Sequence, residues 1–200
     1  DIFDMITSIN DSGKRVVEII SNMLSFARKS DAVTSTHDIT ELLDQTIDLA
    51  ATDFDLKKQY DFKNIKIVKF YEENLPAIPC EGTKIQQVFL NILRNGAHAM
   101  QTLGTLQNES PCFVLKISTE TDSKMLRIEI EDNGPGMNDE IQKRIFEPFF
   151  TTKEPGVGTG LGLSVSYFII SQSHGGTMDV ITAPGKGANF IIRLPISPGE

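Results

Sequence analysis

Residues 125–136 have the sequence MLRIEIEDNGPG, in which a strand pattern runs directly into a turn. Every second residue of its first half is apolar, which predicts a β-strand with one buried face. The alternation stops at Asp132, so this carboxylate stands at the end of the strand. Gly134 and Gly136 then permit a tight turn and the close approach of a flat ring. The stretch therefore predicts a strand whose last side chain faces a pocket.

The carboxylate of Asp132 is a candidate for recognition of one purine base. It can accept a hydrogen bond from an exocyclic amine, which adenine carries and guanine lacks at that position. A plain Asp-Asn-Gly turn is the alternative, because this sequence is common in turns. Taken alone, the turn leaves both interpretations open.

A long helix is predicted from Thr83 to about Thr102. Asn91 and Asn95 lie four residues apart on it, so they share one face. That face is otherwise apolar, and both amides therefore need polar partners. An amide oxygen suits a Mg²⁺ ion held against phosphates, whereas exposed or helix-capping asparagines are the alternative.

The sequence GVGTGLGL at residues 156–163 leads into a helix predicted over residues 161–173. The free N–H groups and the positive end of that helix could meet phosphates. The segment is neither a Walker loop nor a Rossmann turn, because no Gly-Lys-Ser/Thr follows and no strand leads into it. Lys153 precedes it and can reach a terminal phosphate as a point charge, or is an ordinary surface lysine.

The rest of the chain mixes helices and strands. Residues 1–29 have the broad apolar stripe of a bundle helix, residues 30–38 read as a linker, and Asp38 or Thr40 can cap a second helix. Strands are predicted at residues 65–70, 113–119, 125–132, 177–181 and 188–194. This order predicts an α+β fold with helices on one face of a mostly antiparallel sheet, preceded by a long N-terminal bundle helix.

Charge and composition narrow the possible functions. The 19 Lys and Arg against 27 Asp and Glu give a formal net charge of -8, which argues against nucleic acid as a partner. Since every apolar run is shorter than the roughly 18 residues of a membrane span, we expect a soluble, cytoplasmic segment. Because residue 1 is Asp, we expect a piece of a longer protein, and membrane anchoring of that protein stays open. Cys80 and Cys112 have no metal-ligand spacing, which favours two reduced thiols.

Four segments stand in a fixed order along the chain: residues 91–97, 132–136, 146–153 and 156–163. They resemble the asparagine, first glycine, phenylalanine and second glycine boxes of the catalytic ATP-binding domain of sensor histidine kinases. These kinases share a superfamily with type II topoisomerases, MutL and Hsp90. The resemblance covers roughly residues 38–195. It implies a two-layer α/β sandwich with a mixed sheet and about three helices, and ATP under a flexible lid at residues 151–160.

The resemblance also implies roles for single residues. Asp132 would read adenine, Asn95 would hold Mg²⁺, and Asn95 and Lys153 would act in catalysis. The whole ATP-binding set that it implies is Asn91, Asn95, His98, Asp132, Gly134, Gly136, Phe150, Thr152, Lys153, Gly158, Thr159, Gly160, Leu161, Gly162 and Leu163. The role of His98 stays open, and His174 is expected to end a helix.

The N-terminal helix resembles the second helix of the family's dimerisation and phosphotransfer hairpin. The chain is thereby divided into residues 1–37, a partial helix and linker, and residues 38–200, the catalytic domain. The first hairpin helix carries the phosphorylated histidine in the family and is missing from this sequence. His37 precedes an acidic residue, as that histidine does, but it follows the bundle helix, so a solvated linker histidine is favoured. The implied partners are the missing helix, the receiver domain of a response regulator and, in the full-length protein, a second copy in a homodimer.

Asn91 bears on the type of reaction. It stands where topoisomerase-type relatives carry a general base, and an amide cannot take a proton from water. This favours transfer of the γ-phosphoryl group of ATP to a histidine over efficient hydrolysis. Two alternatives are a nucleotide-gated interaction module without transfer, and an anti-sigma-type serine kinase of the same fold, which the N-terminal helix disfavours.

Overall fold

The computed structural model describes residues 35–52, 62–103, 110–153 and 158–197, together with Gly13, which is helical. The predicted helix over residues 1–29 otherwise lies outside the described residues, and so do residues 154–157 of the predicted lid. Among the described residues, none of the helices combines the length and the apolar content that a membrane span requires.

The helices of the described residues are α1 (Ile39–Thr52), α2 (Gly82–Leu103), α3 (Asp139–Arg144) and α4 (Gly162–Phe168). A π-helical turn, Ile169–Ser173, continues α4, and a 3-10 turn, Phe62–Asn64, precedes the second strand. The predicted N-terminal cap of α1 is confirmed, because Asp38 Oδ1 accepts the N–H of Thr40 at 2.8 Å.

The strands are β1 (Ser35–His37), β2 (Lys66–Tyr71), β3 (Ile78–Cys80), β4 (Cys112–Glu120), β5 (Met125–Asp132), β6 (Thr177–Thr182) and β7 (Ala188–Pro195). Five of them form one sheet in the order β2-β4-β5-β7-β6. Only the β2–β4 pair of that sheet is parallel, and the other pairs are antiparallel. The predicted α+β class with a mixed, mostly antiparallel sheet is therefore confirmed, as are the hairpins β4–β5 and β6–β7.

The hydrophobic core lies between one face of this sheet and the helices. Phe113, Leu115 and Ile117 of β4 are buried and alternate with more exposed neighbours, as the period of a strand requires. They belong to one cluster with apolar residues of α1, α2 and α4. This face is where the sheet meets the helix that carries the candidate site.

The opposite face of the sheet is polar. Glu120 accepts hydrogen bonds from Arg127 and Arg193, each at 3.1 Å, and Arg193 also bonds Asp179 at 3.0 Å. Asn189 donates to Glu129 at 2.6 Å on the same face. Because charged side chains cover this face, the described residues form two layers and not three.

Residues 35–37 form a strand where the sequence pattern indicated a linker. β1 pairs with β3, and His37 lies opposite Ile78. The ring of His37 packs on Gly82, where an added Cβ would be 3.0 Å from Cε1. The expected solvated linker histidine is therefore replaced by a half-buried one. Its partner strand lies far along the chain, which a local polar pattern cannot reveal.

His174 caps the end of the π-helical turn, as expected, and also joins two elements. Its Nε2 accepts the N–H of Glu81 at 3.0 Å, and its Nδ1 lies 2.8 Å from the carbonyl oxygen of Ile169. Because Nε2 accepts, the proton is on Nδ1, which donates to that oxygen. The neutral ring thereby ties the start of α2 to the end of the helix that follows the glycine-rich loop.

Candidate functional site

Asp132 ends β5 in the interior of the protein, with 6% of its surface exposed. Its Oδ1 accepts the N–H of Gly134 at 2.9 Å. Burial raises the pKa of Asp132, and hydrogen bonds to the backbone of Gly134 and Ala188 oppose that rise. The two oxygens of a carboxylate can together accept about four hydrogen bonds, so Asp132 can bind these two backbone groups and still accept a hydrogen bond from a ligand.

The backbone of α2 approaches Asp132 closely at Gly96. A Cβ at this position would lie 3.2 Å from Asp132 Oδ2 and 2.6 Å from the ring of Phe113. Only a residue without a side chain lets the helix, the aromatic ring and the carboxylate meet in this way. Gly96 and Phe113 were not among the predicted site residues, because helical spacing does not reveal which strand residue faces the helix.

The turn after Asp132 interlocks with the turn between β6 and β7. Gly136 has a φ of +66°, and a Cβ there would lie 2.0 Å from the carbonyl oxygen of Ala183. A Cβ on Gly187 would lie 1.9 Å from the carbonyl oxygen of Asp132. Thr182 bridges the two turns, since its hydroxyl accepts the N–H of Met137 at 2.9 Å and donates to Gly187 at 2.7 Å.

The second turn therefore packs directly against the first and supports it. The Pro-Gly-Lys-Gly turn at residues 184–187 was visible in the sequence. Its contact with Asp132 depends on the β5–β7 pairing, which joins Asp132 to Ala188. That register has no local sequence signature.

Asn91 faces the start of α4 with its amide nitrogen. It donates to the carbonyl oxygen of Gly162 at 3.1 Å and to the hydroxyl of Ser166 at 3.2 Å. A Cβ at Gly162 would lie 3.6 Å from the amide carbon of Asn91, an ordinary van der Waals distance, so this contact does not itself require a glycine. The polar partners that were expected for the amide of Asn91 are thus provided by α4, the helix after the glycine-rich segment. Asn91 thereby positions α4 against α2.

Asn95 lies one turn later on α2 and contacts the segment before the glycine-rich loop. Its Oδ1 accepts a hydrogen bond from Lys153 Nζ at 3.0 Å. His98 lies a further turn along, and burial and the positive charge of Lys153 lower its pKa. The structure thus brings Asn95, His98 and Lys153 together.

The described part of the glycine-rich segment folds back on the residues before it. Gly160 has a φ of +68° and packs on the backbone of Phe149, and Gly158 packs on Thr151 and Lys153. Phe149 itself has a φ of +65° and is 60% exposed. Such strain in a non-glycine residue is typical of functional loops.

The remaining predicted residues lie either in the glycine-rich segment or just before it. Thr159 accepts the N–H of Leu161 at 3.4 Å, and Leu161 and Leu163 pack against the core. Phe150 is half-buried under the guanidinium of Arg144, which lies 4.3 Å from the ring centroid, and Thr152 is exposed. These residues therefore frame the glycine-rich segment.

The chain also matches a known protein family. The model of one family, described as "Histidine kinase-, DNA gyrase B-, and HSP90-like ATPase", matches residues 80–198. The chain belongs to this family of ATPases. Within it, the chain is the catalytic ATPase domain of a two-component sensor histidine kinase.

The chain is similar to three known proteins, one at the level of sequence and two solved structures. It is 36% identical to sporulation kinase E of Bacillus subtilis over 194 residues, which cover 97% of the chain and 24% of that kinase. Full-length ShkA in complex with AMPPNP matches with a TM-score of 0.75 at 25% identity, over 98% of this chain and 39% of that one. Histidine kinase ThkA in complex with the response regulator TrrA matches with a TM-score of 0.70 at 22% identity, over 96% and 51%.

The chain spans about a quarter of the length of sporulation kinase E. It is therefore similar to one part of that kinase. ThkA at 22% identity shows the fold alone.

The raised pKa of Asp132 predicts a pH dependence of stability for the nucleotide-free kinase domain. An acid whose pKa is higher in the folded than in the unfolded state stabilises the fold at low pH, and this contribution is lost as pH rises through the folded pKa. We therefore expect Asp132→Asn to be increasingly more stable than the wild type as pH rises from about 4, the ordinary pKa of a carboxyl group. Urea unfolding of both proteins from about pH 4 to pH 7 checks this. A difference that stays constant with pH would contradict it.

Proposed function

We propose that the chain binds ATP with Mg²⁺ and transfers the γ-phosphoryl group to a histidine on the hairpin helix that the sequence lacks. One observation carries the proposal. The carboxylate of Asp132, which is buried, packs against the backbone of Gly96, and Asn95 is the preceding residue of the same helix. A base bound at Asp132 would place its phosphates toward Asn95.

The residues at the phosphate end fit a magnesium ion. The side-chain oxygen of Asn95 already accepts a hydrogen bond from a cation, the ammonium of Lys153. Amide oxygens are ligands that Mg²⁺ uses together with phosphate oxygens. Asn95 would hold the ion, which would neutralise negative charge on the transferring phosphoryl group.

The residues of the chain act mainly by positioning and by charge. In the transfer, a histidine nitrogen forms a bond to the γ-phosphorus while the bond to the β–γ bridging oxygen breaks, leaving ADP. Lys153 and the N–H groups of residues 158–162 would hold the phosphates in line. Asn91 gives its amide hydrogens to α4 and has no proton-accepting nitrogen, so we infer poor activation of water.

The histidines of the chain are poor acceptors for the same phosphoryl group. His37 packs at Gly82, and the 13 residues from Gly82 to Asn95 span about 20 Å of helix. His174 uses both ring nitrogens in hydrogen bonds. His98 is on the same helix as Asn95, on the nucleotide side of the reaction. The acceptor therefore comes from another segment.

Calorimetric titration with ATP and GTP in the presence of Mg²⁺ tests the binding half of the proposal. We expect ATP to bind at least about tenfold more tightly than GTP, because a buried carboxylate left facing an oxygen loses a hydrogen bond and gains repulsion. Equal affinities would exclude Asp132 as the reader of the base.

Radiolabelled ATP tests the transfer half. The chain alone is expected to take up no acid-labile phosphate, and a separately prepared acceptor hairpin should become labelled on its histidine when the chain is added. Label on the chain itself would contradict this arrangement. Tight ATP binding with no label on any hairpin would favour the nucleotide-gated module instead.

The partners of the whole protein follow from the same proposal. ThkA is seen with its response regulator, and we propose that a receiver domain takes the phosphoryl group from the hairpin here as well. We also propose a homodimer through the hairpin, and a catalytic domain that begins no later than Ser35, because β1 pairs with β3.

A further inference from the structure

The contact between Lys153 and Asn95 joins two residues that lie 58 positions apart in the chain. The ammonium nitrogen of Lys153 is 3.0 Å from Oδ1 of Asn95, and the contact is partly buried. A charged donor makes this a stronger hydrogen bond than one between neutral groups. The same oxygen is the one that the proposed function gives to Mg²⁺.

The local backbone holds Lys153 in place for this contact. The hydroxyl of Thr151 accepts the N–H of Lys153 at 3.2 Å. Gly158 packs on the lysine stem so closely that a Cβ there would be 3.1 Å from Lys153 Cδ and 3.0 Å from the Thr151 hydroxyl. The ammonium is therefore directed by two neighbours of its stem, at Thr151 and Gly158.

An ammonium and a magnesium ion cannot share this oxygen without strong repulsion. Mg²⁺ lies about 2.1 Å from its oxygen ligands, and the ammonium is 3.0 Å from the same oxygen, so the two cations would be at most about 5 Å apart. The charges are +1 and +2 in a partly buried place, where screening by water is weak.

We propose that Lys153 is a resident cation for Asn95, which occupies the metal-binding oxygen before nucleotide arrives and must leave it when Mg²⁺ binds. This inference rests on the proposed function, since it needs Asn95 as a metal ligand. On this proposal, binding of Mg²⁺ at Asn95 and the position of residues 151–153 are energetically coupled, and each affects the other by the same free energy. Lys153 is then a positioning residue for the metal ligand in one state and a phosphate contact in the other.

A double-mutant cycle on nucleotide affinity tests the exchange. The ligand is ADP, which avoids turnover, and its Kd is measured by calorimetry with excess EDTA and with excess Mg²⁺. The ratio of the two Kd values is the benefit from the metal. It is determined for the wild type, Lys153→Met, Asn95→Ala and the double variant. Lys143→Met on α3 changes the net charge equally and serves as the control.

We expect Lys153→Met to raise the metal benefit roughly 3- to 10-fold, the range for a charge-assisted hydrogen bond partly exposed to water. In the Asn95→Ala background the same substitution should change it by less than about 2-fold, because no oxygen remains to compete for. Lys143→Met should leave it unchanged. If Lys153 merely neutralises phosphates, its removal raises the metal benefit equally in both backgrounds, and the inference is overturned.

The cycle also separates this inference from the function on which it rests. If the wild type binds ADP no better with Mg²⁺ than with EDTA, the proposed metal site at Asn95 is wrong. If Mg²⁺ strengthens ADP binding to the wild type, but Lys153→Met has the same effect with and without Asn95, only the exchange between Lys153 and Mg²⁺ is contradicted.

A second readout needs no ligand. The side-chain amide signals of Asn95 in the nucleotide-free protein should shift in Lys153→Met and stay in place in Lys143→Met. Unchanged Asn95 signals in Lys153→Met would overturn the inference even if that variant bound nucleotide poorly.

Discussion

Replacement of Asp132 by asparagine is expected to weaken ATP binding by roughly 10- to 100-fold, the value of a buried hydrogen bond to a charged group. The carboxylate is 6% exposed and lies at the contact between β5 and α2, so water cannot take its place cheaply. Preference for ATP over GTP should fall together with the affinity. Calorimetry with both nucleotides measures the two effects.

Glu131→Gln is the matched control for this variant. Glu131 is the adjacent residue of the same strand, but it faces the polar side of the sheet, where it pairs with Lys116 at 3.5 Å. Its loss changes net charge by the same amount and should leave ATP affinity within about 2-fold, as for a partly exposed ion pair. Equal losses in the two variants would show that general electrostatics, and not base recognition, governs binding.

Replacement of Gly187 by alanine is expected to destabilise the domain by more than about 3 kcal/mol, because two costs add. The residue has a φ of +69°, which costs an L-residue about 1–2 kcal/mol. Its Cβ would also lie 1.9 Å from the carbonyl oxygen of Asp132, so the backbone of the site must move. Urea unfolding midpoints measure the loss, and any folded fraction should bind ATP weakly.

Gly185→Ala separates these two costs. Gly185 lies in the same turn with a φ of +73°, but a Cβ there would meet nothing within 4 Å. Only the conformational cost of about 1–2 kcal/mol is expected. Equal destabilisation in both variants would mean that the contact with Asp132 contributes little.

Much of the fold could be predicted from local patterns. The alternation in β4 and β5 and the apolar face of α2 each concern a single element. The bounds of β5 agree with the prediction, and those of β4 and α2 differ from it by one residue at each end. The helix predicted over residues 161–173 begins at Gly162 and changes to π-helical geometry at Ile169. β1 was missed because its strand character comes from pairing with β3.

The sequence indicated which residues belong to the candidate site, but it indicated few of the contacts between them. Side-chain chemistry and glycine spacing singled out Asp132, Asn95 and Lys153, and the fold brings the last two into direct contact. The contact of Asn91 with α4 was not foreseen, since it depends on how two helices pack. Gly96 and Gly187 were missed for a related reason. A glycine whose absent Cβ makes room for another element can be recognised only when that element is known.

The position of β5 in the sheet has a further consequence for the energetics of ligand capture. Every residue of β5 is paired on both sides, with β4 and with β7. Its amide protons should be among the slowest in the domain to exchange with deuterium, because they open only with the whole sheet. Asp132 would thus be presented to the proposed base with its position already set by the sheet, so little conformational entropy of this strand is lost on capture.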